Sequence, residues 1–365
     1  MRFRMRRPTT PPIAADLGES AIHAIQLSDA GCEVAAALSL DVDWRESFDP
    51  DAHLTAARAA VDQLAASDAW AGRRMIIALP AALVSMAHLR LEPGEDVTLA
   101  AQSRLPDIGP DPMVRTIDVS SPWKSGRGCR ELLCLAMPRD AVLRYVAMLH
   151  DCKVDIAGIY TPASMMLRAF SHVNRRDSDA DVATMYVELD RHNTTVAFGQ
   201  GASLVAARSI SIAATTSAAA RVDLPAAPLA TVSADTAGPS GFLDTISRRS
   251  NQESPSTPRL EAGAPANEAP AALCEELRTC MRHYQGLFSE IPIQRIVFTG
   301  PGALEAAPCC AMAQALHLPA QIGDPLAQWD STSTASGISD WARQLRPQWS
   351  VAAGLAAGAD EESTS

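Results

Sequence analysis

Three strand-ending turns constrain this chain more than any other feature, because each closes a run of apolar residues on a polar or glycine corner. The first is Asp16-Leu17-Gly18-Glu19-Ser20, which follows Ile13. The second, Glu188-Leu-Asp-Arg-His-Asn-Thr-Thr195, lies mid-chain between two apolar runs. The third, Thr299-Gly-Pro-Gly-Ala-Leu304, follows Ile296-Val-Phe298 and leads into a helix. A carboxylate at a strand end beside a glycine turn stands next to exposed backbone N–H groups. That arrangement suits a phosphate held through a divalent ion. Hydroxyl and amide side chains of the second turn would reach the phosphate from the opposite side. The glycines of the third let backbone approach a flat ligand at a helix N-terminus. A dinucleotide-binding fingerprint would need a further glycine at position 305, where Glu305 stands, and this argues against that fold.

The rest of the chain reads as alternating strands and helices. Ile13 to Leu27 gives two strands joined at Gly18, with Ile22, Ala24 and Gln26 alternating against His23, Ile25 and Leu27. Glu33 to Val42 follows as a third strand. Asp51 to Ala66 is an amphipathic helix with Leu54, Ala57, Val61 and Leu64 on one stripe. Strands are expected at Met75–Leu79, Glu131–Ala136, Val154–Tyr160 and Gln294–Phe298, as a pair within Met185–Phe198, and at Ser203–Ile212. Helices are expected at Arg139–Asp151, from Pro162, at Ala271–Ser289, after Gly302 to Leu316, and at Ser350–Gly358. Residues 213–270 change character: Ala, Ser, Thr and Pro dominate and large apolar residues are sparse. The stretch reads as disordered linker, with one short helix near Gly241 to Arg249.

Composition narrows the function. A formal net charge of -11 argues against a general nucleic-acid binder, whose phosphate contacts need a basic face. Met1-Arg-Phe-Arg-Met-Arg-Arg7 resembles the basic end of a signal peptide, but Pro8, Thr9, Thr10, Pro11 and Pro12 follow in place of an apolar core. No later stretch approaches ~20 consecutive apolar residues, so no membrane span is expected. The eight cysteines form no Cys-x-x-Cys pair and no Cys/His set with metal-ligand spacing. They read as buried single thiols of a reducing compartment.

The order of the three turns resembles the actin, sugar-kinase and Hsp70 superfamily, in which they are two phosphate loops and an adenosine motif. Within it the chain looks most like the type IV pilus assembly protein PilM (competence protein A) family. Ile76-Ile-Ala-Leu-Pro80 with Val84, Leu133 to Leu149 followed by Val154 to Ala169, Ile296 to Leu318, Ile322 to Leu326, and Val351 to Ala357 carry this closer match. The resemblance implies an α/β, actin-like (ribonuclease H-like) two-lobed fold with an inserted small α+β subdomain and a long disordered insertion. The first lobe would take residues 13–74 and 152–180, with the inserted subdomain at 75–151. The second would take 181–212 and 271–358, interrupted by the insertion at 213–270. A basic, Pro-rich tail at 1–12 and an acidic tail at 359–365 would flank them.

By the same resemblance, ATP with Mg²⁺ would be the ligand. Asp16, Gly18 and Ser20 would lie at the first phosphate loop, Glu188, Thr194 and Thr195 at the second, and Gly300 and Gly302 at the adenine side. Asp16 and Glu188 would face the metal. The implied role is a cytoplasmic scaffold, peripheral on the inner membrane, that docks the N-terminal cytoplasmic peptide of a bitopic pilus alignment protein. A kinase of the same superfold and a cytoplasmic component of a type II secretion platform are the alternatives, and self-association stays open. Two departures argue against efficient hydrolysis. Glu188-Leu-Asp190 replaces the family's Asp-hydrophobic-Gly, adding a carboxylate where phosphate should approach. The family's glycine-threonine motif after the following strand is missing, where Ala213-Ala-Thr-Thr-Ser217 begins the linker.

Overall fold

The structure, a computed structural model, describes residues 10–31, 33–42, 48–105, 108–119, 129–173, 179, 181–191, 193–211, 271–329 and 346–362. The expected linker at 213–270, with its short helix, lies outside these residues.

Two five-stranded sheets repeat one plan. In the first, β1 (Ile13–Leu17), β2 (Ala21–Leu27) and β3 (Val34–Asp41) form an antiparallel meander. On the other side of β1, β4 (Arg74–Ala78) and β8 (Asp155–Tyr160) run parallel to it, giving the order β3-β2-β1-β4-β8. In the second, β9 (Ala183–Leu189), β10 (Thr194–Gln200) and β11 (Ser203–Ile210) form the meander. There β12 (Ile293–Thr299) and β13 (Ala320–Ile322) are the parallel strands, in the order β11-β10-β9-β12-β13. Antiparallel neighbours need only a tight turn, whereas parallel neighbours need a long crossover. Helices supply it: α1 (Pro50–Ala66) precedes β4, α5 (Ala271–Leu287) precedes β12, and α6 (Ala306–Leu316) precedes β13. Helix α1 starts where Asp49 accepts from the Asp51 and Ala52 N–H groups and Pro50 opens the first turn.

The small inserted unit is narrower than the 75–151 expected. A three-stranded antiparallel sheet, β5-β7-β6, uses β5 (Ser85–Leu91), β6 (Pro112–Asp118) and β7 (Arg130–Pro138), with α2 (Val97–Arg104) on one face. The apolar run at 75–79 belongs instead to the first sheet, where it is buried on both faces as a central parallel strand requires. Helix α3 (Arg139–Asp151) buries Val142, Tyr145, Met148 and Leu149 in the same cluster as Val61 and Leu64 of α1. An apolar run alone does not say which sheet it joins.

One continuous core crosses the molecule. It runs from Ala14 and Ile76 of the first sheet through α4 (Pro162–Ala169) into Met185, Val187, Val196 and Phe298 of the second. Helix α7 (Ser350–Glu362) lies between them, and every residue from Ser350 to Ala356 is buried. Its Ala- and Gly-rich sequence is what lets it fit. A Cβ at Gly354 would collide with the Met165 backbone of α4, so the two helices cross closer than larger residues allow.

Candidate functional site

The three turns converge on one cleft between the sheets. Asp16 is next to last in β1 and is buried, opposite His23 in the β1–β2 register. The tight turn beyond it is held from below by α1 and α3. The His53 Nε2–H donates to the Gly18 carbonyl at 3.0 Å, and Nδ1 lies 2.5 Å from the Tyr145 hydroxyl, which donates to it. Glu19 is 1% exposed, and its Oε1 accepts from the Ala82 N–H at 2.8 Å. This turn is therefore fixed on three sides by its own lobe.

The second turn faces it. Asp190 N–H donates to the Asn193 carbonyl at 3.0 Å, closing the hairpin, and its Oδ1 accepts from the Arg191 N–H at 2.6 Å. The same Oδ1 accepts a hydrogen bond from Ser20 Oγ, 170 residues away in sequence and in the other lobe. Thr194 and Thr195 are buried within the sheet, opposite Leu189 and Glu188 in the β9–β10 pairing. Asn193 is tied to Ser209 on the next strand at 2.8 Å.

The third turn lies one strand away, with Thr299 paired to Glu188. Gly300 has φ +80°, and a Cβ there would stand 2.6 Å from the Leu189 carbonyl oxygen. Its backbone is thus packed onto the second turn rather than facing open space. Gly302 sits in the short 3-10 turn Pro301–Leu304. The start of α7 completes the cleft. The Gly300 N–H donates to the Pro347 carbonyl at 2.9 Å, and Ser350 Oγ donates to Glu188 Oε1 at 3.2 Å. The Trp349 ring meets His23 edge-on at 4.8 Å.

Electrostatics follow from this crowding. Burial, then Glu188, Asp190 and Glu19, push the Asp16 carboxyl well above its usual range. Burial and then Asp190 raise Glu19 to about 7, against the Ala82 N–H and the Asn193 amide. Burial and Asp190 raise Glu188 to about 8, with the Ser350 hydroxyl opposing. Burial lowers His23 to about 4 and lowers His53 as well. Four carboxylates therefore share a space in which like charges disfavour one another.

Asp16, Ser20, Glu188 and Gly300 are thus brought together, with Gly302 one turn beyond Gly300 and Gly18 facing back into its own lobe. Sequence reasoning missed His53, Tyr145 and Ser350 as parts of the cleft, and quoted Glu19 within the first turn without giving it a role. Of these only His53 carried a signal, a histidine beside the apolar stripe of an amphipathic helix.

A magnesium nucleotide does not fit this arrangement. A phosphate bridging the two hairpins needs hydrogen bonds of ~2.9 Å on each side of it. Here Ser20 and Asp190 meet directly. Each phosphate charge brought within ~5 Å of a carboxylate costs about 3 kcal/mol at an effective dielectric constant of ~20. Among the described residues, no group of three or more His, Cys, Asp or Glu side chains is placed to hold a metal ion by itself.

No protein-family model matches the sequence. No curated protein matches it either. Solved structures do resemble the fold. A chain of the PilM-PilN type IV pilus biogenesis complex superposes with a TM-score of 0.67 at 13% identity, over 96% of this chain and 99% of that one. A Bacteroides thetaiotaomicron protein described as having an actin-like ATPase fold gives 0.45 at 9% identity, over 90% and 98%. The cytoplasmic domain of EpsL, an inner-membrane component of the type II secretion system of Vibrio cholerae, gives 0.33 at 13%, over 55% and 70%. With its two sheets of matching topology facing one cleft, the chain has an actin-like fold, shared over nearly its whole length with a chain of the PilM-PilN complex.

Proposed function

We propose that this protein is an actin-like scaffold of a type IV pilus or related envelope machine, recruited to the inner membrane by the N-terminal cytoplasmic peptide of a bitopic partner. The observation that carries the reading is the likeness to a chain of the PilM-PilN complex, whose 96% coverage includes the small inserted sheet as well as both lobes. No helix among the described residues is long and apolar enough to cross a membrane, so attachment through a partner suits the chain.

The partner's peptide would dock beside the inserted sheet. Large apolar side chains stand exposed on it and on the helix that follows it: Leu99 on α2 at 68%, Met113 on β6 at 41% and Leu143 on α3 at 52%. Solvent-facing residues of that size are a common mark of a protein-binding surface when they share one region. The role asked of the lobes is to hold this region in place. The contacts that fill the cleft favour a scaffold over a kinase of the same fold, because phosphoryl transfer depends on placing the phosphate between opposed loops.

Co-expression with a candidate bitopic membrane protein carrying a short N-terminal cytoplasmic peptide tests the proposal. The two proteins are expected to co-purify, and deletion of the partner's N-terminal peptide is expected to abolish the complex. Leu143→Asp should weaken it at least tenfold while leaving the melting temperature unchanged. Absence of co-purification with the intact partner, or binding that survives loss of the peptide, would overturn the reading.

A further inference from the structure

Independently of the partner, we infer that the cleft is a latch: the chain's own side chains fasten the two lobes together and exclude nucleoside triphosphates. Three observations carry this. The tips of the facing hairpins are joined directly by Ser20 Oγ donating to Asp190 Oδ1, a bond between residues 170 apart. The C-terminal helix closes the opening from the side, with Ser350 Oγ on Glu188 Oε1 at 3.2 Å and Trp349 against His23 at 4.8 Å. The third turn is packed onto the second, because the space beside Gly300 is filled by Leu189 backbone. Ser20 with Asp190 and Trp349 with His23 join the two lobes, while Ser350 with Glu188 and Gly300 with Leu189 fill the second lobe's side of the cleft.

The groups facing the Ser20–Asp190 contact come from several elements. Asp16 and Glu19 flank it on the first hairpin, Glu188 is next to last in β9, and Arg191 follows Asp190 with its N–H on the same carboxylate. His53 and Tyr145 brace the first hairpin from behind through the Gly18 carbonyl. A ligand rich in negative charge meets three further carboxylates once it displaces Asp190, whereas the serine hydroxyl is neutral and small enough to reach the carboxylate directly. The cleft therefore serves to set the angle between the lobes permanently rather than to vary it with a bound nucleotide.

Two measurements on the full chain test this. In thermal melts, ATP with MgCl₂ in large excess is expected to leave the melting temperature where MgCl₂ alone leaves it, since a ligand of the folded state must raise it. In hydrogen exchange, Ser20→Ala is expected to speed exchange roughly fivefold at both hairpins, 16–22 and 188–194, as one lost hydrogen bond frees two tips. Ser20→Thr, which keeps the hydroxyl, should exchange as the unaltered protein does. A rise in melting temperature with Mg-ATP overturns the proposal. So does faster exchange confined to 16–22 in Ser20→Ala, which would mean the serine only stabilises its own turn.

Discussion

Glu188 concentrates the chemistry of the cleft at a single side chain. It stands next to last in a central strand, accepts from Ser350, 162 residues away in sequence, and has its carboxyl raised to about 8 by burial and by Asp190. Folded-state values for Glu188, Glu19 and Asp16 all stand above their usual ones, so the folded chain holds protons that the unfolded chain releases. The stability this gives is complete below the ordinary carboxylate range and is lost as pH rises through about 7 to 8. His23 acts with the opposite sign: lowered to about 4, it contributes above its usual 6.5 and fails as pH falls toward 4. Between about pH 4.5 and 6.5 three raised carboxyls outweigh one lowered histidine, so the melting temperature is expected to be highest near pH ~4–5 and to drop by several degrees by pH ~8.5. Glu188→Gln keeps an acceptor for Ser350 while removing one charge. It should raise the melting temperature at pH ~8.5 by roughly 3 °C and flatten the alkaline slope, as parallel melts across pH would read. Gly300→Ala puts a Cβ 2.6 Å from a backbone oxygen at a φ of +80°, and denaturant unfolding should show a loss of about 2 kcal/mol or more.

Helices α4 and α7 are the elements on which the joining of the lobes depends. Helix α7 is buried through Ala356, and only small residues let it lie against α4. Gly354→Val is expected to cost more than about 3 kcal/mol and to lower the yield of folded protein, because the side chain would have to occupy the place of the Met165 carbonyl. The matched control is Gly286→Ala near the end of α5, where nothing lies within 4 Å of the new Cβ; it should stabilise by about 0.5 kcal/mol. Urea unfolding of the two variants separates steric exclusion from helix propensity. Most of these elements were legible in advance. The apolar stripe of Leu54, Ala57, Val61 and Leu64 marks α1, Pro138 and Pro162 stand at the starts of α3 and α4, and strict alternation marks β2. Strands β5 and β6 and helix α2 were not read from the sequence. They are short, and Arg90, Arg115 and Asp118 interrupt their apolar pattern, since a small sheet with one covered face needs few apolar residues.

At the scale of the whole molecule, two similar sheets face one cleft and share one core, and that arrangement gives the individual turns their meaning. The sequence by itself determined which residues end strands, where helices begin, and that three polar corners recur at comparable places in two halves. Those features are local, set by periodicity, capping and turn chemistry within a few residues of one another. The sequence also exposed Asp190 as a misfit for a phosphate-binding corner, because charge and size belong to the residue itself. Tertiary structure alone decided that Ser20 reaches Asp190, that Ser350 reaches Glu188 and that His53 braces Gly18, since each pair is joined only when distant segments pack. It alone assigned Met75–Ala78 to the first sheet rather than to the inserted unit, because a strand buried on both faces carries no mark of which neighbours bury it.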